Sequence, residues 1–249
     1  MNSTNLKLSK KERNLYIVSL AFLLGFFLVT LFRASFLQVD VAVNLWIPSI
    51  QSSQLILFAE GVAIIFSTPS LVIFSLVISG LLFLKNYKAQ GLLLLGAMGG
   101  DALIVSVLKT LGHVARPTNG IILDTSFSYP SGHSTSCIVL GGVLAYFAWH
   151  HWQSSRSRAL IVAGMGLLAV VVGFDRIYLN VHWLSDVFGG WLFGAFWLSF
   201  VILVFRHLKI AGKFASERFG FVASLLYFGA AMVGVFVVLL SLLGNSLSF

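Results

Sequence analysis

His182 and Asp186 stand four residues apart, a spacing that puts two side chains on one face of a helix. A carboxylate that accepts from one imidazole nitrogen fixes the tautomer and leaves the other nitrogen free to attack. A second histidine, His133, follows Pro130, Ser131 and Gly132 and could protonate a departing oxygen. Lys109, Arg116 and Arg176 offer three cations. Arginine presents a planar fork matched to phosphate oxygens, and lysine adds a point charge. The run Pro130-Ser131-Gly132-His133 reads as the opening of a helix, where free N–H groups bind anions. Gly132 would let the backbone come close, and Ser131 would donate a hydroxyl. The residue types therefore describe a phosphate site with a nucleophile, its orienting carboxylate and an acid.

These residues lie in an unusually apolar chain. Of its 249 residues 58% are hydrophobic and only 10% are charged, with a mean hydropathy of +0.96. A soluble domain carries about 25% charged residues, whereas repeated apolar stretches of about 20 residues mark transmembrane helices. Seven spans are expected, over 15–36, 66–84, 90–108, 133–151, 159–175, 183–205 and 220–243. The fold class is all-α, a polytopic membrane bundle. The segment 37–65 is expected to lie along the interface or to extend the second span. A single Cys137 excludes an intramolecular disulfide and a cysteine metal cluster.

The net charge of +8 invites a nucleic-acid reading, but topology explains it better. With the N-terminus inside, the inner segments hold Lys7, Lys10, Lys11, Arg13, Lys85, Lys88, Arg156, Arg158, Arg206, Lys209, Lys213 and Arg218, twelve of the 16 basic residues. The outer segments hold Arg33, Lys109, Arg116 and Arg176. This is the positive-inside pattern. Three of the four outer cations fall beside the polar stretches described above, all on one membrane face, where a compact bundle could converge them on one pocket. Charges kept where topology disfavours them are candidates for function. No nucleic acid partner is expected, and with no carboxylate cluster left for magnesium the cations would do a metal's work.

Three motifs carry a family resemblance. "KTLGHVARP" matches K-x6-R-P, "YPSGH" matches P-S-G-H, and "DRIYLNVHWLSD" matches S-R-x5-H-x3-D in all but its first position. In order and spacing they resemble the signature of the type-2 phosphatidic acid phosphatase superfamily. The signature covers residues 109–186, and with flanking spans the resemblance covers 15–205. It implies a six-helix membrane core and metal-independent dephosphorylation through a phosphohistidine, with no cofactor. By position, His182 would be the nucleophile, Asp186 its partner and His133 the acid. Lys109, Arg116, Ser131, Gly132 and Arg176 would bind the phosphate. The chain departs from the pattern at Asp175, where the family usually has Ser; next to a phosphate it should turn away or pair with Arg176 or Lys109.

The organisation expected is a cytoplasmic segment 1–14, a membrane phosphatase core 15–205, and a cytoplasmic loop with an additional span over 206–249. The function expected is hydrolysis of a lipid phosphate or diphosphate on the extracytoplasmic face of a bacterial plasma membrane. Undecaprenyl diphosphate, phosphatidylglycerophosphate and phosphatidate are the candidate substrates. A lipid phosphotransferase using the same site, or a lipid or anion carrier without catalysis, are the alternatives. Asp101, inside the third span, reads as a helix-to-helix hydrogen bond, and His113 as a loop residue.

Overall fold

The computed structural model describes residues 9–151 and 154–210. Among these the chain is helical, without strands: α1 (Lys10–Leu31), α2 (Arg33–Trp46), α3 (Ser53–Ile65), α4 (Thr68–Leu84), α5 (Lys88–Gly112), α6 (Gly132–His151), α7 (Ser155–Tyr178) and α8 (Leu184–Ile210). A short 3₁₀ turn, Ile47–Ile50, joins α2 to α3. The expected seventh span, 220–243, lies outside the described residues, as does most of the loop before it.

Local chemistry sets several helix starts. Ser9 and Glu12 form a reciprocal capping box on α1, with Glu12 N–H donating to Ser9 Oγ at 3.2 Å and Ser9 N–H to Glu12 Oε2 at 2.9 Å, which satisfies donors that a helix start leaves open. Ser52 and Ser67 cap α3 and α4 through their hydroxyls.

The described helices give four that are long and apolar enough to cross a membrane, and a fifth if the bent pair α3–α4 counts as one span. Three of the expected spans take a more particular form. The first span is not continuous over 15–36: the helix breaks at Phe32 (φ −96°, ψ 18°) and restarts as α2. The segment 37–65 is divided between α2, the 3₁₀ turn and α3, and α3 meets α4 at a 48° bend, the geometry of a broken span or a re-entrant loop. The fourth expected span exists as α6 but falls short in hydropathy, because Gly132, His133, Ser134, Thr135 and Ser136 open it. The physical reason is its position. α6 is the central helix, packed against α5, α7 and α8, so it faces protein rather than lipid and polar side chains there can be hydrogen-bonded internally.

The outward faces of the other helices are apolar. Leu20, Leu24, Leu103 and Leu167 are exposed, as lipid-facing residues should be. The interior is apolar too, built on Leu94, Val139, Val143, Phe147 and Val172. α1 runs antiparallel to α8, with Tyr16 OH 2.6 Å from His207 Nε2 at one end and Phe26 against Phe193 at the other. Alternation then gathers the ends of α1, α5 and α7 and the starts of α6 and α8 on one face of the bundle.

Helices attract each other weakly in lipid, so close approach depends on small residues. α8 carries Gly190 and Gly194, one turn apart, against α6. A Cβ at Gly190 would sit 2.7 Å from the Ser131 carbonyl oxygen, and one at Gly194 would sit 2.9 Å from that of Thr135. Gly190→Leu should therefore destabilise the bundle by about 1–3 kcal/mol and lower the unfolding midpoint of the purified protein in detergent. Gly164→Leu, where nothing lies within 4 Å, should leave the midpoint nearly unchanged, and equal midpoints for the two variants would refute this packing account.

Candidate active site

The turn 179–183 between α7 and α8 carries His182. Ile121 N–H donates to the Leu179 carbonyl at 3.0 Å, and Gln51 Nε2 to that of Tyr178 at 2.6 Å, so both the 113–131 loop and the 3₁₀ region hold this turn. His182 is not itself helical, which corrects the expectation of one shared helix face. Asp186 occupies the first turn of α8 and reaches back, its Oδ2 accepting from Trp183 N–H at 2.9 Å, the back half of a capping box. That fold of the chain brings His182 Nδ1 to 3.2 Å from Asp186 Oδ2.

Asp186 is fully buried and surrounded by donors. Ser128 Oγ donates to Oδ2, and Arg33 Nη1 donates to Oδ1 at 2.6 Å. On the other side of the imidazole, Arg116 Nη1 lies 3.1 Å from His182 Nε2. An arginine N–H can only donate, so Nε2 is the acceptor and the proton sits on Nδ1, facing Asp186. Burial, reinforced by the charges of Arg116 and Lys109 and opposed by Asp186, pushes the His182 imidazole down to about 4. It is neutral at pH 7, with its lone pair on Nε2.

Arg116 is anchored by its remaining donors. Nε donates to the Ser126 carbonyl at 2.8 Å, Nη1 to that of Val181 at 2.6 Å, and Nη2 to Ser126 Oγ at 2.9 Å. Nη2 also pairs with Asp124 at 2.6 Å. Lys109, in the last turn of α5, donates to the carbonyls of Phe127 and, at 3.3 Å, Ser128. Arg176, buried at the end of α7, donates through Nε and Nη2 to Asp175. Its Nη1 lies 3.3 Å from His133 Nε2, which is also 3.2 Å from the Ala63 carbonyl oxygen of α3.

The structure thus brings Lys109, Arg116, His133, Arg176, His182 and Asp186 to one end of the bundle. Arg116 is within electrostatic range of Arg176, and His133 of His182. Gly132 and His133 open the first turn of α6, ahead of any carbonyl that could accept their N–H groups. Ser131 lies beside them and is buried, its Oγ accepting from Ser134 Oγ at 3.0 Å. Asp175 pairs with Arg176, as its sequence position suggested. Asp101 accepts from Ser136 Oγ at 2.5 Å, the expected helix-to-helix bond, and His113 caps α5 in a left-handed conformation (φ 48°) with its ring against Phe127.

Sequence reasoning missed Ser128, Ser126, Asp124 and Arg33. The first three lie in a loop without periodicity, and no pattern marks them. Arg33 carried a signal, being the fourth cation on the outer face. An apolar groove of about 320 Å³ between α3 and α7, lined by Leu55, Phe58, Val170, Phe174 and Tyr178, runs up to Asp175.

In this bundle of membrane-length helices, residues 90–210 match the family model of the PAP2 superfamily. Phosphatidylglycerophosphatase B of Bacillus subtilis is 36% identical over 115 residues, 45% of this chain and 57% of that protein. The undecaprenyl-diphosphatase of Sulfolobus acidocaldarius is 30% identical over 128 residues, 49% of this chain and 57% of that protein. The matches therefore span little more than half the length of these relatives. The crystal structure of a transmembrane PAP2 type phosphatidylglycerolphosphate phosphatase from Bacillus subtilis superposes with a TM-score of 0.69 at 26% identity, covering 81% of this chain and 99% of that one.

The tautomer and charge of His182 can be read directly. With ¹⁵N-labelled histidine and a His182→Ala spectrum to assign the signal, NMR in detergent should show His182 neutral and protonated on Nδ1 at pH 7. Protonation should come only as pH falls towards about 4. Because the shift is downward, the nucleophilic form is retained through the mildly acidic range. A midpoint near the ordinary imidazole value of about 6.5 would contradict the buried geometry.

Proposed function

We propose that the protein hydrolyses the phosphate or diphosphate of a membrane lipid through a phosphohistidine at His182. The observation that carries this reading is the two-sided hold on that imidazole: Nδ1 on Asp186 at 3.2 Å and Nε2 on Arg116 at 3.1 Å. The nitrogen with the free lone pair is the one facing a cation suited to phosphate.

On binding, Arg116 transfers its hydrogen bond from Nε2 to a phosphate oxygen, and Lys109, Arg176 and the first N–H groups of α6 complete the cradle. Nε2 then attacks phosphorus, the N–P bond forms, and the bond to the lipid oxygen breaks. His133 gives that oxygen its proton. Water attacks the phosphohistidine in the second step, releasing phosphate and restoring the imidazole, with His133 taking the proton back. Asp186 balances the charge that develops on His182 throughout. The negative charge of the transition state meets fixed cations in a site withdrawn from water, where such interactions are strongest.

A lipid substrate fits the location. The cradle sits at one end of helices with lipid-facing apolar surfaces, and the groove between α3 and α7 offers a tail an apolar path towards Asp175. The related proteins are named for phosphatidylglycerophosphate and undecaprenyl diphosphate, which supports a lipid phosphate or diphosphate here. The basic residues at the opposite end, among them Lys10, Lys11, Lys85, Lys88, Arg156 and Arg158, support a cytoplasmic location for that end and an extracytoplasmic one for the site.

Phosphate release from a panel of phosphatidylglycerophosphate, undecaprenyl diphosphate and phosphatidate tests the reaction. Wild-type protein in detergent should turn over at least one, before and after chelator, and His182→Ala should lose at least about a thousandfold in kcat while folding normally. Phosphate appearing on an added lipid alcohol instead of in solution would identify a transferase, and full activity in His182→Ala would eliminate the mechanism.

Topology has its own test. The native Cys137 is buried, so a cysteine placed at Leu123, which is 94% exposed, gives a clean signal. Leu123→Cys should react with a membrane-impermeant maleimide on intact cells. Reaction only after lysis would place the site on the inner face.

A further inference from the structure

Asp186 poses a physical problem that the motif residues do not solve. A fully buried carboxylate is costly unless a cation and enough hydrogen bonds compensate it. His182 cannot be that cation, because it is neutral at pH 7. Trp183 N–H and Ser128 Oγ are neutral donors, both on Oδ2. Among the described residues, the full positive charge in contact with Asp186 is Arg33, whose Nη1 donates to Oδ1 at 2.6 Å.

The chain is built to hold Arg33 there. The break at Phe32 ends α1 and makes Arg33 the first residue of α2. The guanidinium lies over the Tyr129 ring at 4.9 Å, a cation–π contact. Tyr129 is itself fixed, its hydroxyl 2.7 Å from Thr30 Oγ1 and its ring stacked on Phe26 at 5.8 Å. Two turns further along α2, Asp40 accepts from Ser185 N–H at 2.8 Å and from Ser185 Oγ at 2.6 Å. Arg33 and Asp40 are seven apart and so share a face of α2. Together they grip Ser185 and Asp186, neighbours in the first turn of α8. Both α2 residues lie outside the span 90–210 matched by the family model.

We propose that Arg33 is a positioning residue for the reaction, acting through Asp186. It neutralises the buried carboxylate and takes up Oδ1, which leaves Oδ2 aimed at His182 Nδ1 and fixes the tautomer that presents Nε2. The inference rests on the His182 mechanism proposed above. It adds that α2 is a working part of the site, clamping the first turn of α8 at two points.

Replacing Arg33 with Gln removes the charge and retains a hydrogen-bond donor. Two effects then act in the same direction. Asp186 holds a proton more readily without its cation, and His182 becomes more basic when a positive charge leaves its surroundings. In Arg33→Gln, kcat on the best lipid of the panel should fall about ten- to a hundredfold, as for loss of partners that orient catalytic groups. KM should change less than about threefold, since Arg33 does not touch the phosphate. By NMR the His182 midpoint should move up by about one pH unit, the order expected for a lost charge at short range. Arg33→Lys should restore most of kcat and return the midpoint towards wild type.

Wild-type kcat and an unmoved His182 midpoint in Arg33→Gln would overturn the proposal. So would a loss confined to KM, which would make Arg33 a phosphate contact. If Arg33→Gln does not fold, Asp40→Asn carries the test. It loosens the second grip of α2, and an unchanged kcat and His182 signal in that variant would also overturn the proposal. The NMR readout needs no turnover, so a wild-type protein inactive on every lipid would defeat the phosphatase reading while the His182 midpoint still decides the role of Arg33.

Discussion

The site depends on one buried carboxylate. Asp186 sits in the first turn of α8 with no exposure to solvent and accepts from Arg33, Ser128, Trp183 N–H and His182. The donors come from three parts of the chain: the start of α2, the loop before α6, and the turn after α7, which supplies both His182 and Trp183. Leaving a charged oxygen unpaired in such surroundings costs more than making the bond gains, so the carboxylate constrains three segments against α8 at once. The imidazole orientation, the placement of the 113–131 loop and the docking of α2 all follow from satisfying it.

The cations obey a second rule. Each is held by acceptors of the protein before any phosphate arrives: Lys109 by two carbonyls, Arg116 by two carbonyls and a hydroxyl, with Asp124 as a more exposed partner, and Arg176 by Asp175. Donors placed in advance need no reorganisation when charge develops. Bringing these segments together requires α6 and α8 to approach at backbone distance, which Gly190 permits directly behind Ser131. The packing of the bundle and the geometry of the cradle are therefore coupled through the same few ångströms of chain.

Much of this was legible in the sequence, for physical reasons that also mark the limits. Lipid requires long apolar helices, so the spans of α5, α7 and α8 stood out. Charge asymmetry separated the two faces, and Lys109, Arg116, His133, Arg176, His182 and Asp186 converge at one end as their spacing suggested. What failed was what hydropathy does not encode. The break at Phe32 falls inside the span read over 15–36, with apolar residues on both sides of Arg33, so α2 was not separated from α1. The four-residue spacing of His182 and Asp186 was read as a shared helix face, whereas a capping turn produces the contact. Arg33 was set apart as a topological exception because its partner is 153 positions away.

Asp175 and Asp124 show how the two arginines differ. Both carboxylates pair with a cation of the cradle, but Asp175 and Arg176 are each about 5% exposed, whereas Asp124 is 40% exposed. A solvent-screened pair is worth little and exchanges readily, while a buried one is costly to break. Arg176 is thus a fixed element: its Nε and Nη2 are committed to Asp175, and Nη1 alone points at His133. In the proposed reaction Arg116 is the exchangeable one, releasing Asp124 and the His182 lone pair when a dianion replaces both. The carboxylate at position 175, which departs from the family pattern, engages two of the arginine's nitrogens, so in the proposed reaction Nη1, beside His133, is the part of Arg176 left to contribute to the cradle. In that reaction the division of labour follows from burial: the pair with an exposed carboxylate opens for substrate, and the pair buried on both sides holds the acid in line.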